Sequence, residues 1–124
     1  MLNQTGVIKE SYGIRKTILF DELNSTAISC IVANTGVTAG SDGKKIIKAG
    51  TPLKGDLTNR ETPFTVASDT ASGVILHDVD VTEGNANSQI VIFGTIDISK
   101  LEEDVVTKIT EGIKSSLKMI QFIK

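Results

Sequence analysis

The clearest pattern of apolar and polar positions lies between residues 73 and 102. Apolar, mostly β-branched residues form short runs on both sides of an acidic turn at 78–87, and the second run, at 89–98, alternates around Gly94. Such runs, separated by loop-forming residues, are typical of strands. The pattern predicts strands joined by a turn that faces solvent or another subunit, and then the start of a helix near Ser99.

Shorter apolar runs before this stretch predict further strands. They lie at 27–34, at 44–54, where a tight turn interrupts the run, and at 64–67. The segment 1–20 mixes apolar with charged residues and contains two glycines. This mixture predicts an extended arm with a short strand at 16–20. We expect the arm to be dispensable for folding.

The C-terminal quarter carries the signals of one helix and a last strand. Ser99 and Glu102 have the spacing of a capping box, in which each side chain bonds the other residue's backbone N–H. An apolar stripe recurs every four residues after it: Leu101, Val105, Ile109 and Ile113. The pattern predicts a helix at about 100–115 that frays near Gly112, followed by a strand at about 117–123.

Composition favours one domain with an aliphatic core. The chain has 124 residues, of which 40% are hydrophobic and only 4% aromatic. We therefore expect an N-terminal arm (1–20) and a single domain (21–124) that is mainly β with one C-terminal α-helix, an α+β fold. The net charge of −2 gives no reason to expect nucleic acid as a partner. No secretory signal and no membrane-spanning run is recognisable, which favours the cytoplasm of the producing cell.

Candidate chemical groups are few, and each has a structural explanation. Cys30 lies inside a predicted strand, so a buried thiol is expected rather than a nucleophile. His77 is the only histidine, which excludes a pair of histidines as metal ligands or as acid and base. Asp78, Asp80 and Glu83 suggest calcium but lack the EF-hand spacing. We predict no catalytic, cofactor-binding or metal-binding residues and rank an enzyme last.

The lysines are concentrated in one segment. Four of them lie within 44–54, whereas no lysine or arginine occurs between residues 61 and 99. The preceding glycines do not make this segment a phosphate loop, because Lys45 stands where a Ser or Thr is required. Solvated strand faces explain the charges most simply. A dipolar surface that orients copies on a partner, or on one another, is the alternative.

Three segments carry a resemblance to a known family: 47–53 (Ile-Lys-Ala-Gly-Thr-Pro-Leu), 73–81 (Gly-Val-Ile-Leu-His-Asp-Val-Asp-Val) and 90–97 (Ile-Val-Ile-Phe-Gly-Thr-Ile-Asp). They resemble the phage head decoration proteins of the lambda head protein D type. The Ser-Lys-Leu-Glu helix start and the last strand are similar to the longer versions from phages and prophages of Gram-positive bacteria. The resemblance covers about residues 45–124.

The resemblance implies a small β-clip or β-tulip domain, a sandwich or barrel, that is made in the host bacterial cytoplasm and ends on the virion. Such proteins add to the outer surface of an expanded capsid, usually as homotrimers at local three-fold positions, and clamp the major capsid protein. It implies no enzyme activity, cofactor, membrane or direct nucleic-acid contact. In relatives the N-terminal arm becomes ordered on a capsid-protein strand. Carried to this chain, the implied capsid-binding residues are Val7, Ile8, Tyr12, Ile14 and Ile18.

A second resemblance leads to a different class of function. Residues 49–57 resemble a segment of antifreeze-like β-clip domains, which contact ice or sugar-derived ligands. A small ligand-binding module is therefore the alternative, and a flat exposed face rich in threonine would favour it. The scattered threonines of this chain do not predict such a face.

Overall fold

The computed structural model describes residues 17–21 and 23–124. It is mainly β with two short helices near the C-terminus, which confirms the predicted mainly-β α+β class. The strands are β1 (Thr26–Val32), β2 (Ile46–Ile47), β3 (Pro52–Lys54), β4 (Thr65–Val66), β5 (Gly73–Ile75), β6 (Val79–Asp80), β7 (Ala86–Asp97) and β8 (Ile120–Ile123). A 3-10 turn (Ile98–Lys100) precedes the helices α1 (Glu103–Val106) and α2 (Glu111–Ser116).

Strand β7, which is 12 residues long, organises the sheet. Its first half pairs antiparallel with β1 and β5, and the order continues through β3 to β4. Its second half pairs in parallel with β8. Beside that half, Leu19 bridges Ile96 in antiparallel orientation, so residues 18–20 extend the sheet. Strands β2 and β6 form a separate two-stranded sheet.

The two faces of the sheet bury two different cores. The side chains of consecutive residues lie on opposite faces of the sheet, so that Val74 and Val91 belong to one core whereas Ile75 and Ile90 belong to the other. This is why these apolar runs are continuous where a half-exposed strand would alternate. The strand core contains Cys30, Val32, Ile47, Leu53, Phe64, Ile75, Val81 and Ile90. The helix core contains Ile18, Leu19, Ala67, Ala71, Val74, Val91, Ile96, Ile109, Ile113, Leu117 and Ile120.

The single helix predicted at 100–115 is wrong, because two short helices occupy this region. The hydroxyl of Thr107 donates to the carbonyl of Asp104 (2.8 Å) as α1 ends. Thr110 then starts α2, its hydroxyl oxygen accepting from the N–H of Ile113 (3.4 Å). Threonine hydroxyls compete for backbone groups in this way and favour helix ends. The apolar stripe nevertheless identified the buried side, since Val105, Ile109 and Ile113 are all buried.

The predicted capping box at Ser99 is also wrong. The hydroxyl of Ser99 donates to Oδ1 of Asp97 (2.6 Å), which also accepts the Ser99 N–H (3.1 Å). The side-chain hydrogen bond from Ser99 holds the pKa of Asp97 below its usual value. Desolvation opposes this shift, and the backbone hydrogen bond from Ser99 adds to it. Glu102, the N-cap of α1, makes no side-chain capping bond. The hydroxyl of Ser99 is therefore bonded to Asp97, two residues earlier, and does not take part in a capping box.

Gly112 is a point of close approach, not a fraying point inside a long helix. A β-carbon at this position would lie 2.9 Å from the carbonyl oxygen of Asp69. The next helical turn is fixed to the same loop, because Oγ of Ser116 accepts the N–H of Ala71 (2.9 Å). The absent side chain thus lets α2 pack directly on the loop before β5.

The strand predicted at 117–123 starts later, at Ile120, because Leu117 is the buried C-cap of α2. The strand predicted at 27–34 is β1, shifted slightly toward the N-terminus. Of the predicted strand at 16–20, residue 16 lies outside the described residues, and residues 18–20 lie along β7. No helix in the described ranges is long and apolar enough to cross a membrane.

Candidate interaction surfaces

The lysine-rich segment 44–54 contacts the acidic start of α1. Nζ of Lys48 is 3.0 Å from Oε1 of Glu102 and 3.4 Å from Oδ2 of Asp104. The hydrogen bond to Glu102, with Asp104 assisting, raises the pKa of Lys48 above its ordinary value. All three side chains are substantially exposed, so these pairs orient α1 and contribute little to stability. One of the lysines predicted to face solvent is thus engaged within the molecule.

The acidic turn is used for backbone hydrogen bonding. Oδ1 of Asp78 accepts the N–H of Ala49 (2.8 Å) and so holds the turn before β3. Oδ1 of Asp80 accepts the N–H (2.9 Å) and the hydroxyl of Thr82, and the hydroxyl bond is the main reason that the pKa of Asp80 is lowered. Within the described part of the chain, no group of three or more metal-ligating side chains could hold a metal ion.

The two other candidate groups are a thiol and an imidazole. Cys30 is buried in the strand core, as predicted, and desolvation raises the pKa of its thiol against the opposing charge of Arg60. A raised thiol pKa lowers the thiolate fraction and the reactivity. His77 lines a depression of about 230 Å³ together with Asp78, Lys100 and the start of the described chain at Thr17.

The residues proposed to bind capsid divide into two groups. Val7, Ile8, Tyr12 and Ile14 lie outside the described residues. Ile18 is only 4% exposed, because it lies within the helix core beside β7, so its side chain is not available to a partner. Leu19 is buried with it, and removal of residues 1–20 would therefore remove core side chains. A truncation that spares the domain has to end at residue 16.

An apolar band lies where β7 bends at Gly94. We give this name to Phe20, Phe93 and Met119, which are 64%, 43% and 61% exposed. Phe93 and Met119 line one shallow depression with Thr95, whose carbonyl accepts the N–H of Phe20 (2.9 Å). Glycine permits the bend at position 94, because φ is +141° and a side chain there would collide with Ser25. The band is therefore an exposed apolar surface beside β7 and the start of β8.

A groove of about 540 Å³ runs beside β2. The glycine-containing loop 36–44 forms one wall, and α1 with Lys108 forms the other. Aliphatic side chains contribute to the lining: Val37, Ile46, Ile47, Val66 and Val105. This groove combines an apolar floor with charged rims.

The segment that resembles antifreeze-like domains offers no threonine face. Thr51 is 1% exposed, and its hydroxyl donates to the carbonyl of Lys48 (2.6 Å). Leu53 is fully buried in the strand core. The side chains that would have to meet ice or a sugar are thus used within the fold.

Sequence reasoning missed the apolar band and the groove. Phe93 belongs to an alternating run, and only the bend at Gly94 sets it beside Met119, which is 26 positions away at the edge of β8. A glycine inside a strand is the one local signal for such a bend. Comparison with protein-family models gives no match to the chain. Comparison with curated proteins gives no match either.

Proposed function

We propose that this protein is a non-enzymatic decoration protein of a phage head. In this proposal it binds the outer surface of the expanded capsid as a homotrimer at local three-fold positions and clamps neighbouring major capsid subunits. The residue patterns at 47–53, 73–81 and 90–97 suggest the family, and the mainly-β fold is compatible with it. The observation that carries the proposal is the apolar band.

The apolar band has the properties of an attachment surface. Phe93 lies within β7, Phe20 directly follows the residue that bridges β7, and Met119 directly precedes β8, so little backbone order has to be gained on binding. Aromatic residues and methionine are enriched in the cores of protein interfaces. A trimer would present three copies of the band, and effective concentration multiplies contacts that are individually weak.

The arm supplies a second attachment element in this proposal. Its candidate residues Val7, Ile8, Tyr12 and Ile14 precede a segment that is anchored on β7 through Leu19. A strand that adds to an exposed sheet edge gains backbone hydrogen bonds, with side-chain pockets giving specificity. The arm and the band can therefore be tested separately.

The test is co-sedimentation with expanded capsids that lack decoration protein, followed by a heat challenge. We expect the natural chain to sediment with the capsids and to raise their survival. The double variant Phe93→Ser/Met119→Ser should weaken binding roughly tenfold or more, because truncating an interface anchor costs about 1–2 kcal/mol or more. A chain lacking residues 1–16 should also bind more weakly.

The matched control is Leu57→Ser, since Leu57 is 41% exposed but lies in the loop after β3. It should bind as the natural chain does. Thermal unfolding of each variant establishes that the fold persists, and light scattering measures the oligomer. Natural protein that neither sediments with capsids nor protects them would refute the proposed function.

A further inference from the structure

The groove beside β2 has an unpaired strand edge as part of its floor. Strand β2 pairs only with β6 among the described strands. The carbonyl of Lys45 accepts the N–H of Val81 on that side (2.8 Å), whereas the carbonyl of Lys44 accepts the N–H of Gly40 on the other side (2.8 Å). Backbone groups of an antiparallel strand alternate in direction. The N–H and C=O of Ile46 therefore point away from β6 and toward the loop side, where the groove lies.

An apolar side chain is exposed next to this edge. Ile46 is 38% exposed, although its neighbour Ile47 is buried in the strand core. Val37, from the loop 36–44, and Val105, from α1, also line the groove. An aliphatic side chain entering here would meet apolar surface within a volume of about 540 Å³, which suits a few residues of extended chain better than a whole helix.

Two lysines at the rim form no ion pair within the described residues, although Lys44 lies close enough to Asp80 to help lower the pKa of that carboxyl. Within the described residues, neither Lys44 nor Lys108 has a carboxylate oxygen within 4.0 Å, while Lys48 is paired with Glu102 and Asp104. Of the three lysines and two aspartates in the lining, Lys48 and Asp104 are paired with each other, which leaves Lys44 and Lys108 against Asp42. Charge complementarity thus favours an anionic occupant.

We propose that this groove binds an extended peptide segment in which acidic and aliphatic side chains alternate. The peptide backbone pairs with the free edge at Ile46, one aliphatic side chain packs on the apolar lining, and the carboxylates lie near Lys44 and Lys108. This combination is strand addition with electrostatic selection. The inference concerns a site distinct from the apolar band and does not require the proposed capsid role.

The probe is a blocked seven-residue peptide of alternating valine and glutamate, titrated into isotope-labelled protein and followed by NMR. We expect chemical-shift changes in the loop 36–44, in β2 and in α1. The peptide in which glutamine replaces glutamate should bind more weakly, and added salt should reduce the difference. A peptide N-methylated at alternate amides keeps its charges but loses strand hydrogen bonds, and it should lose binding.

The protein variant Lys44→Glu/Lys108→Glu should weaken binding roughly tenfold, because reversing each exposed charge is worth somewhat under one kcal/mol and 1.4 kcal/mol is tenfold. The matched control Lys118→Glu changes a lysine beside the apolar band and should bind normally. The N-methylated peptide uses unaltered protein, so its result is independent of variant folding.

The inference would be overturned by any one of the following results. They are no shift change at millimolar peptide, equal binding of the N-methylated and unmethylated peptides, and equal occupancy by free glutarate, which would identify a site for small anions only. Shifts confined to the apolar band would also contradict it. Because this experiment contains no capsid, its failure leaves the co-sedimentation test unaffected.

Discussion

The strand core and the helix core lie on opposite faces of one sheet and are assembled from different kinds of contact. The strand core is contributed mostly by residues of paired strands, with Phe64 as its one aromatic side chain. The helix core collects residues from the described N-terminal segment to β8, including Leu19, Ile113 and Ile120. Local strand signals specify the first kind of core well, whereas the second depends on segments that meet only in the folded chain.

The largest predicted effect compares one fully buried residue from each core. Phe64→Ala should lower the free energy of unfolding by about 3–5 kcal/mol and Ile113→Ala by about 2–5 kcal/mol, because both leave cavities in packed interiors. Urea unfolding followed by circular dichroism measures both, with the exposed Met119→Ala as control, expected within about 0.5 kcal/mol of the natural chain.

The same measurement decides whether the two cores unfold together. We expect one transition for each variant, as for most small domains. If Ile113→Ala instead produced a separate early transition and left the main midpoint unchanged, the helix core would be an independent unit. The shared sheet strands would then not couple the two faces.

An intermediate effect is expected at the contact between α2 and the loop before β5. Gly112→Ala should destabilise the protein by roughly 1–3 kcal/mol, although alanine is the better helix former by about 1 kcal/mol, because its β-carbon would meet the Asp69 carbonyl oxygen. Ser115→Ala, on the exposed side of the same helix, is the control and should be neutral or slightly stabilising. A stabilising Gly112→Ala would show that the loop can move aside at little cost.

The smallest effect separates the observed helix cap from the predicted one. Thr110→Ala should cost about 0.5–1 kcal/mol, since it removes the side-chain acceptor at the start of α2. Ser99→Ala should cost less, because Ser99 caps no helix and Asp97 keeps its backbone bond. Thermal unfolding of the two variants in parallel gives the order. If Ser99→Ala cost more stability than Thr110→Ala, the result would support the capping box predicted at Ser99.

The parts of the fold that could be predicted are those with local signals. The apolar runs gave the positions of β1, β5 and β7, and the four-residue stripe gave the buried side of the helical region. The break between the helices was not predictable from that stripe, because a buried Ile109 fits both a continuous helix and a turn. The sequence also does not show whether the Ser99 side chain pairs with Asp97 or with Glu102, because both residues stand at suitable spacings.

The candidate surfaces depend on contacts that sequence spacing does not encode. Ile18 looks like any apolar residue of an arm, and nothing local distinguishes pairing with its own sheet from pairing with a partner's. The groove needs the loop 36–44 and α1 to meet at β2, across more than half of the chain. The burial of the Cys30 thiol was easier to predict, because this residue lies inside a predicted strand.

Ile96 has Leu19 on one side and Phe122 on the other, so the first and last described strand segments flank the same strand. Residues 18 and 123 both lie level with Asp97, two strand spacings or about 10 Å apart. A linker of a few residues between Lys124 and Thr17 would span this gap. New ends could then be opened at the half-buried Gly84, where no other part of the described chain comes within 4 Å of the β-carbon position. With residues 1–16 omitted, the architecture is therefore suited to circular permutation, with the order of its segments changed and the contacts of the described residues kept.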